Sequence, residues 1–400
     1  MQNWSENKSK YIGAGIAFLL SFLVFFLTMA PTVSFWDCGE FIACAHTLGI
    51  PHPPGTPFYV LISRFFIIIL PFVGEIAARV NLISVLTSAL TVGCCFLIAW
   101  ESMTIFMDRL KQSIPIRKTV LWVSSFCAAS LTCLSDTVWF NAVEAEVYGM
   151  AMFMVFIMTW LSLRWYEHRE TETGDRLMIL IVYIGYLGVG AHLYSLLTIP
   201  AIFVFMLLCS PRLRSGQSWP IWITGVLLYS VVYKVDSFLV WAIAVTVVCL
   251  IAGFVVKAEE KYAWKLSMWF GIVALIGYST HAYIPIRSSL NPIIDENNPE
   301  IALEDAFSPS DWKAFNDFIG RKQYGSESMI SRASHRRADF LNQLLTFPHM
   351  GYGGYQIAQY LPFKVGQVRH TGYKTWQVVV QDNEPLENFG FKFTTQMSSI

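Results

Sequence analysis

The chain has 400 residues, of which 54% are hydrophobic and only 14% are charged, and its mean hydropathy is +0.48. Soluble domains are roughly 45–50% apolar and about 25% charged, so this composition excludes an ordinary soluble domain and indicates a multi-pass membrane protein. The 28 basic and 28 acidic residues balance, which favours neither a nucleic-acid partner nor a strongly charged protein partner.

The first predicted element is a membrane span over residues 11–30, whose apolar run is long enough to cross a bilayer. The core of a cleaved signal peptide is shorter, about 7–15 residues, so this span is expected to remain as an anchor. Eight further apolar runs predict spans at 80–100, 119–134, 148–163, 177–190, 194–209, 219–233, 237–256 and 266–283. The block 177–209 is too long for one helix and is interrupted by GVGAHLYS, which predicts two short helices and a turn.

The loop after the first span, residues 31–79, contains a further apolar segment, PFYVLISRFFIIILPFV at 57–73. A helix crossing the membrane here would place Arg64 near the bilayer centre, at a cost of about 2.5–3.5 kcal/mol. A helix lying in the plane of the membrane would let the guanidinium reach lipid headgroups or a phosphate. The sequence therefore predicts an in-plane helix.

The distribution of lysine and arginine predicts the orientation of the chain. If the N-terminus is cytoplasmic, one set of loops holds fourteen of these residues and the opposite set, up to residue 283, holds three. Cytoplasmic loops carry the excess of positive charge. We therefore expect a membrane domain over 1–283, with loop 31–79 outside the cytoplasm, followed by an extracytoplasmic region over 284–400.

Five segments resemble those of a known family: FWDCGEFIACAHTLGIPHPPGTPFY, WFNAVEAEVYG, GAHLYS, YIPIRSSLNP and RKQYGS. They are similar to large membrane proteins of the Bacteroidetes, catalogued as a domain of unknown function and related to the protein O-mannosyltransferases of the animal endoplasmic reticulum. The resemblance covers about the first 330 residues. It implies an all-α GT-C glycosyltransferase fold, a sugar donor carried on a lipid phosphate, and a chain that continues beyond residue 400.

The resemblance implies that Asp37, the acid just after the first span, is the catalytic base. Partial burial raises the pKa of a carboxyl group, which suits it to accept a proton from a hydroxyl. Glu40 lies one helical turn further on and would position the acceptor. The spacing of these two acids is also typical of a helix-capping pair, so both interpretations of the pair stay open.

Arg287 is the first candidate for binding the donor phosphate, because a guanidinium engages phosphate oxygens in pairs. Arg64 and His192 are the further candidates. A lipid headgroup is the alternative partner for Arg287. His52 in the proline-rich turn HPPG is a candidate substrate contact, although this turn could serve only to redirect the chain.

Glu144 and Glu146 flank Ala145, so in a helix their side chains would project in nearly opposite directions, and Glu146 is the favoured substrate contact of the two. An acid at a helix N-terminus is also stabilised by the helix dipole alone. Asn291 in IRSSLNP is a further candidate substrate contact.

The ligand spacings of known metal sites, such as HExxH, do not occur in the sequence. The prediction is therefore that the protein has no dedicated metal and no cofactor, although acidic pairs could hold Mg²⁺ or Mn²⁺. Cys38 and Cys44 are the cysteines expected to be exposed.

The leading functional hypothesis is an inverting transfer of mannose, or of another hexose or deoxyhexose, from a polyprenyl phosphate to Ser or Thr hydroxyls of exported proteins. The reaction would take place on the periplasmic side of a bacterial inner membrane. The expected partners are the lipid-linked donor, the exported acceptor protein and membrane lipids. A flippase of a lipid-linked saccharide stays open as an alternative, because broken helices and charges at membrane depth mark transporters too. A scaffold of the envelope or of secretion is the third hypothesis.

Overall fold

The computed structural model describes residues 4–110, 116–232, 235–257, 260–297, 301, 308–325, 367–372, 375–379 and 395–396. The chain divides into two compact units, one formed by 1–133 with 138–325 and the other by 134–137 with 326–400. The predicted functional division into 1–283 and 284–400 stays a prediction.

The described part of the chain is mostly helical, as the sequence predicted. The α-helices are α1 Trp4–Thr28, α2 Cys38–Thr47, α3 Pro57–Ile69, α4 Ile76–Arg109, α5 Arg117–Cys133, α6 Asp136–Ala142, α7 Val147–His168, α8 Glu172–Val189, α9 Ile199–Cys209, α10 Pro211–Arg214, α11 Trp219–Leu228, α12 Val235–Val255, α13 Lys261–Tyr278, α14 Tyr283–Ser288 and α15 Pro309–Ile319. Short 3-10 helices lie at Leu193–Thr198, Gly216–Ser218, Tyr229–Val232, Ser279–Ala282 and Lys322–Tyr324.

In the described part of the chain, five helical stretches are long and apolar enough to cross a membrane, which confirms a multi-pass membrane protein. They are Lys8–Thr28, Ile76–Arg109, Val147–His168, Phe238–Val255 and Lys261–Ser288, and α5 with α6, bent by 64°, forms a sixth if the pair is one span. The predicted number of nine spans is not confirmed. Among the remaining helices, α8 carries three charged residues near its start, and α9 and α11 are only 11 and 10 residues long.

The break predicted within 177–209 is confirmed. Helix α8 ends at Val189, the backbone turns at Gly190, and the chain continues through the 3-10 helix Leu193–Thr198 into α9. A helix is also present in the first loop, where Pro57 starts α3 with its fixed φ. Its orientation in the plane of the membrane stays a prediction.

Two clusters of buried apolar residues position the first loop. Phe41, Tyr59, Val80 and Val147 belong to one cluster, which packs α2 and α3 against α4 and α7. The second cluster contains Ile50, Ile284, Ile301, Phe315 and Phe318, and it packs α14 and α15 against the segment that follows α2. The chain between α2 and α3 is therefore held by helices from distant parts of the first unit.

The second unit contains a three-stranded antiparallel sheet that the sequence analysis did not predict. Strands β1 Gln367–Gly372, β2 Thr375–Val379 and β3 Thr395–Gln396 lie in the order β1-β2-β3. Gln367 pairs with Val379, and Thr375 pairs with both Gly372 and Gln396. The aromatic-rich run MGYGGYQIAQYLPF at 350–363, whose composition suits either a saccharide-contacting surface or core packing, lies outside the described residues.

Candidate functional site

Asp37 immediately precedes helix α2 and occupies its N-cap position, but its side chain makes no capping hydrogen bond. Glu40 does not complete a capping pair either, because both of its carboxylate oxygens are engaged by His52. The capping interpretation of these two acids is therefore wrong. The residue before them, Trp36, has a φ of 61°, in the left-handed region that non-glycine residues rarely adopt.

Glu40 and His52 form a bidentate pair. The backbone N–H of His52 donates to Glu40 Oε1 at 2.6 Å, and His52 Nδ1 lies 2.7 Å from Glu40 Oε2. Burial by itself raises the pKa of Glu40, but the two hydrogen bonds from His52 outweigh burial and lower it. The same hydrogen bond raises the pKa of His52 against the opposing effect of burial. The pair is thus stabilised in its charged form.

The HPPG turn fixes His52 and also directs the chain into α3. Gly55 has a φ of +82°, and a Cβ atom at this position would lie 2.9 Å from the ring of Phe318. The turn thus redirects the chain and also holds His52 beside Glu40, while the role of His52 as a substrate contact stays a prediction. The packing of Phe318 on Gly55 also brings the end of α15 next to His52.

Glu144 and Glu146 both belong to one buried group of side chains. This corrects the expectation that only one of them faces the site. That expectation assumed a helix, whereas α6 ends at Ala142, α7 begins at Val147, and the backbone at Glu146 is extended. Ser34 donates to Glu144 Oε2 at 2.5 Å, and Cys38 Sγ lies 3.9 Å from Glu146 Oε1.

The surroundings of Glu146 favour its protonated form. Burial, together with the charges of Asp37 and Glu144, raises its pKa to about 7. Glu146 is 6% exposed and Glu144 is 3% exposed, so both carboxyl groups are removed from bulk water. Cys38 and Cys44 are buried as well, which makes the prediction of their exposure wrong. Cys38 packs against α4 in the cluster that holds the first loop, a feature of the tertiary structure.

His192 follows the end of α8 and caps the 3-10 helix Leu193–Thr198, where its Nδ1 accepts from the N–H of Tyr194 at 3.1 Å. Burial lowers its pKa to about 4, with smaller contributions from the charges of Arg321 and His52. Its ring lies 5.2 Å from that of Tyr148. At neutral pH the imidazole is uncharged, so it can donate a hydrogen bond from Nε2 but supplies no positive charge.

Arg64 and Arg287, the two predicted phosphate-binding arginines, meet at the C-terminal end of α2. Arg64 Nη1 donates to the carbonyl of His46 at 2.6 Å. Arg287 Nε donates to the carbonyl of Leu48 at 2.7 Å, and its Nη2 lies 3.5 Å from the carbonyl of Thr47. These contacts place the segment IRSSLNP at the same end of the helices as WDCGE, as predicted. Both guanidinium groups, however, donate to main-chain carbonyls.

Asn291, the remaining predicted contact, has a φ of 48°, and its backbone N–H donates to the carbonyl of Ser288 at 3.0 Å. This bond closes the turn after α14. The structure thus brings Asp37, Glu40, His52, Glu144, Glu146 and His192 into one neighbourhood and places Arg64, Arg287 and Asn291 around the end of α2.

Among the residues that the structure describes, two groups of side chains have possible metal ligand atoms within 4.8 Å of one another: Asp37 with Glu40 and His52, and Cys38 with Glu144 and Glu146. In the first group, Glu40 and His52 are already paired to each other. In the second, burial raises the pKa of the Cys38 thiol to about 12, and a protonated thiol is a poor metal ligand. Both groups offer carboxylate oxygens to Mg²⁺ or Mn²⁺, so the predicted absence of a metal stays a prediction.

Tyr148 and Arg321, which carried no predicted role, also lie at this site. Tyr148 packs beside His192, and the positive charge of Arg321 acts on both His52 and His192. Arg321 opens the segment RKQYGS, which was noted as a motif without an assigned chemistry. Almost 270 residues separate it from His52, so no local spacing could have connected the two.

The fold and the site define a multi-pass membrane protein with carboxylates and histidines gathered at one end of its helices. Residues 37–215 match the family model of the protein O-mannosyl-transferase TMEM260 N-terminal domain. This segment begins at Asp37 and includes every predicted site residue except Arg287 and Asn291. The resemblance to membrane glycosyltransferases of the O-mannosyltransferase type is thereby confirmed for this segment.

Two relatives show the same similarity. The chain is 30% identical over 186 residues to the protein O-mannosyl-transferase TMEM260 of Mus musculus, a match that covers 46% of this chain and 23% of the mouse protein. It is 26% identical over 242 residues to the corresponding protein of Dictyostelium discoideum, covering 56% of this chain and 26% of that protein. The chain thus spans about a quarter of the length of these curated relatives. No solved structure matches the chain.

Proposed function

We propose that the chain is the membrane-embedded part of a glycosyltransferase that moves a sugar from a polyprenyl phosphate to a Ser or Thr hydroxyl of an exported protein. The observation that carries the proposal is the cluster of Asp37, the Glu40–His52 pair and Glu146 at one end of the helices. It lies in the segment that is similar to proteins named as O-mannosyl-transferases. Those names favour mannose as the sugar.

In the proposed reaction the acceptor hydroxyl attacks the anomeric carbon from the face opposite the phosphate. A new C–O bond forms, the bond between the anomeric carbon and the phosphate oxygen breaks, and its electron pair leaves on the polyprenyl phosphate. The hydroxyl proton passes to the carboxylate of Asp37. Attack from the opposite face inverts the configuration at this carbon.

The geometry around Asp37 supports its role as the base. Its carboxylate is exposed, which corrects the expectation of partial burial, and it is free of a capping bond and accessible to an acceptor. One of its oxygen atoms lies within 4.8 Å of a ligand atom of Glu40 and of one of His52. Glu146 takes up a proton more readily than an ordinary glutamate because its pKa is about 7. A neutral Glu146 adds no negative charge beside the carboxylate of Asp37.

The test is transfer by purified protein in proteoliposomes, with a polyprenyl-phosphate mannose donor and a Ser/Thr-containing acceptor peptide. Asp37→Asn is expected to lower kcat by about 10²–10⁴, the usual contribution of general base catalysis. Glu75→Gln is the matched control, because Glu75 is an exposed acid in the same loop that makes no side-chain capping bond.

Wild-type transfer by Asp37→Asn would contradict the assignment of the base. Movement of the lipid-linked sugar across the membrane by the wild-type protein, without any transfer to peptide, would instead support the flippase alternative.

A further inference from the structure

Most of the arginines near the candidate site are bound to the protein's own backbone. Arg64 and Arg287 donate to the carbonyls at the end of α2. Arg79 donates through Nε to the carbonyl of Val73 at 2.7 Å and through Nη1 to that of Ile67 at 3.0 Å. Their charges stabilise helix ends and turns, so binding a phosphate would require these guanidinium groups to give up existing hydrogen bonds.

Arg321 differs from these three arginines. Its side chain is exposed, and its guanidinium lies over the ring of Tyr324 at 5.2 Å. Within the part of the chain that the structure describes, no carboxylate or carbonyl oxygen accepts a hydrogen bond from this guanidinium. The neighbouring basic residue, Lys322, is paired with Asp317.

The position of Arg321 is fixed by packing rather than by its own side chain. Helix α15 is anchored by Phe315 and Phe318 in the cluster with Ile50 and Ile284, and Phe318 also contacts Gly55 in the HPPG turn. The N–H of Arg321 donates to the carbonyl of Phe318 at 3.0 Å. Arg321 is thereby held next to the turn that carries His52.

The backbone of Arg321 is strained, with a φ of 56°. Left-handed geometry is unfavourable for a residue with a Cβ and is found preferentially at functional sites. Burial is the main cause of the lowered pKa of His192, and the charge of Arg321 adds to it; the same charge opposes the raised pKa that the hydrogen bond to Glu40 gives His52. Arg321 thus lies close enough to act on both histidines of the site. The guanidinium of Arg321, which is not paired with a carboxylate in the described part of the chain, favours an anion in this neighbourhood.

We propose that Arg321 binds the phosphate of the lipid-linked donor and stabilises the negative charge that the departing polyprenyl phosphate gains. This inference rests on the proposed function and assigns the phosphate to Arg321 instead of Arg287, the first candidate from the sequence. A guanidinium can place two parallel N–H groups on two phosphate oxygens. The uncharged His192 can add a hydrogen bond from Nε2 to the same phosphate.

The experiment measures binding without turnover. Farnesyl phosphate, a short polyprenyl phosphate, is titrated into purified protein, with inorganic phosphate as competitor in a second arm. Arg321→Gln is expected to raise the Kd for farnesyl phosphate by about tenfold or more, the effect of losing a hydrogen bond to a charged group. Lys322→Gln, which removes the adjacent paired charge, is expected to change this Kd by less than about twofold.

Arg321→Asn provides a second neutral variant, because asparagine tolerates the left-handed backbone better than most residues. A folded neutral variant that binds farnesyl phosphate as tightly as the wild type would overturn the inference. Inorganic phosphate that competes as strongly as farnesyl phosphate would assign the site to a free anion and overturn the lipid-donor assignment.

If the protein is not a glycosyltransferase, the experiments give a different result. In that case the wild-type protein transfers no sugar in the proteoliposome assay, whatever the effect of Arg321 on farnesyl phosphate binding.

Discussion

Glu40 and Glu146 are two acids of the same site whose surroundings act in opposite directions. His52 donates to Glu40 through its backbone N–H and lies within hydrogen-bond distance through its ring, which keeps that carboxylate ionised. Glu146 has Asp37 and Glu144 as neighbours and is buried, so it retains a proton up to about pH 7. One site thus contains both an ionised carboxylate and a carboxyl group that exchanges a proton near neutrality, a combination that suits proton transfer.

The raised pKa of Glu146 predicts a pH-dependent effect of Glu146→Gln on stability. A carboxyl group with a raised folded-state pKa destabilises the fold progressively as pH rises from its unfolded pKa, near 4.5, to its folded pKa of about 7. One pKa unit corresponds to about 1.4 kcal/mol. Glu146→Gln should therefore melt at a higher temperature than the wild type at pH 8.5, with the difference shrinking toward pH 5.

Thermal unfolding of both proteins in the same detergent across this pH range is the measurement. Glu172→Gln is the control, because Glu172 is 89% exposed at the start of α8. A melting-point difference that does not vary with pH would show that Glu146 is ionised in the folded protein at every pH tested.

Helix α2 is the element on which the site depends, because Asp37 and Glu40 lie at its first turn and its last carbonyls are bound by two arginines. The last carbonyls of a helix have no partner within the helix itself, and cations near this end are favoured by the helix dipole. Arg64 and Arg287 supply both effects, while Leu48 ends the helix in a left-handed conformation with a φ of 56°.

This arrangement predicts that Arg287→Gln destabilises the protein more than it weakens donor binding. Loss of a charge-assisted hydrogen bond to a partly buried carbonyl costs about 1.5–3 kcal/mol, so the melting temperature should fall. The Kd for farnesyl phosphate should stay within about twofold of the wild-type value, because binding by Arg321 is retained.

Unfolding curves and the titration described for Arg321 are measured on the same preparations. Arg176→Gln is the control, since Arg176 is 79% exposed on α8. A variant with the wild-type melting temperature and a tenfold weaker Kd would return the phosphate-binding role to Arg287.

At the scale of the whole molecule, a network of three charged residues joins three membrane helices at the end opposite the candidate site. Lys10 Nζ on α1 lies 2.5 Å from Glu101 Oε1 on α4, with the side chains 0% and 1% exposed. Arg164 on α7 approaches the same carboxylate oxygen at 3.5 Å. Since α4 and α7 also carry the packing of the first loop, this network helps fix the frame on which the site is built.

Breaking a buried ion pair typically destabilises a protein by about 3–5 kcal/mol, and this is an upper value here because Arg164 still compensates part of the charge of Glu101. Lys10→Met is therefore expected to reduce the melting temperature, and adding Glu101→Gln to it should restore part of the loss. The measurement is thermal unfolding of the two single variants and the double variant. Strictly additive losses would contradict a direct interaction between Lys10 and Glu101.

Local patterns in the sequence were sufficient to determine the class of protein and several elements. Apolar runs fixed the positions of the membrane helices, and the interruption at GVGAHLYS indicated the break after α8. They did not fix the number of spans, because the apolar run of α11 yields only a ten-residue helix. The acids and histidines of the first loop were also found from the sequence, since polar residues are conspicuous beside a membrane span.

The partners of these residues were decided only by the tertiary structure. Glu144 and Glu146 share a site because the backbone between α6 and α7 is not helical, and their periodicity alone suggested otherwise. The roles of Arg64, Arg287 and Arg321 depend on which carbonyls lie within reach of each guanidinium, a property of packing between segments far apart in the chain. Sequence determines where charged groups occur, whereas the folded structure determines which of them are neutralised by the protein and which are left for a ligand.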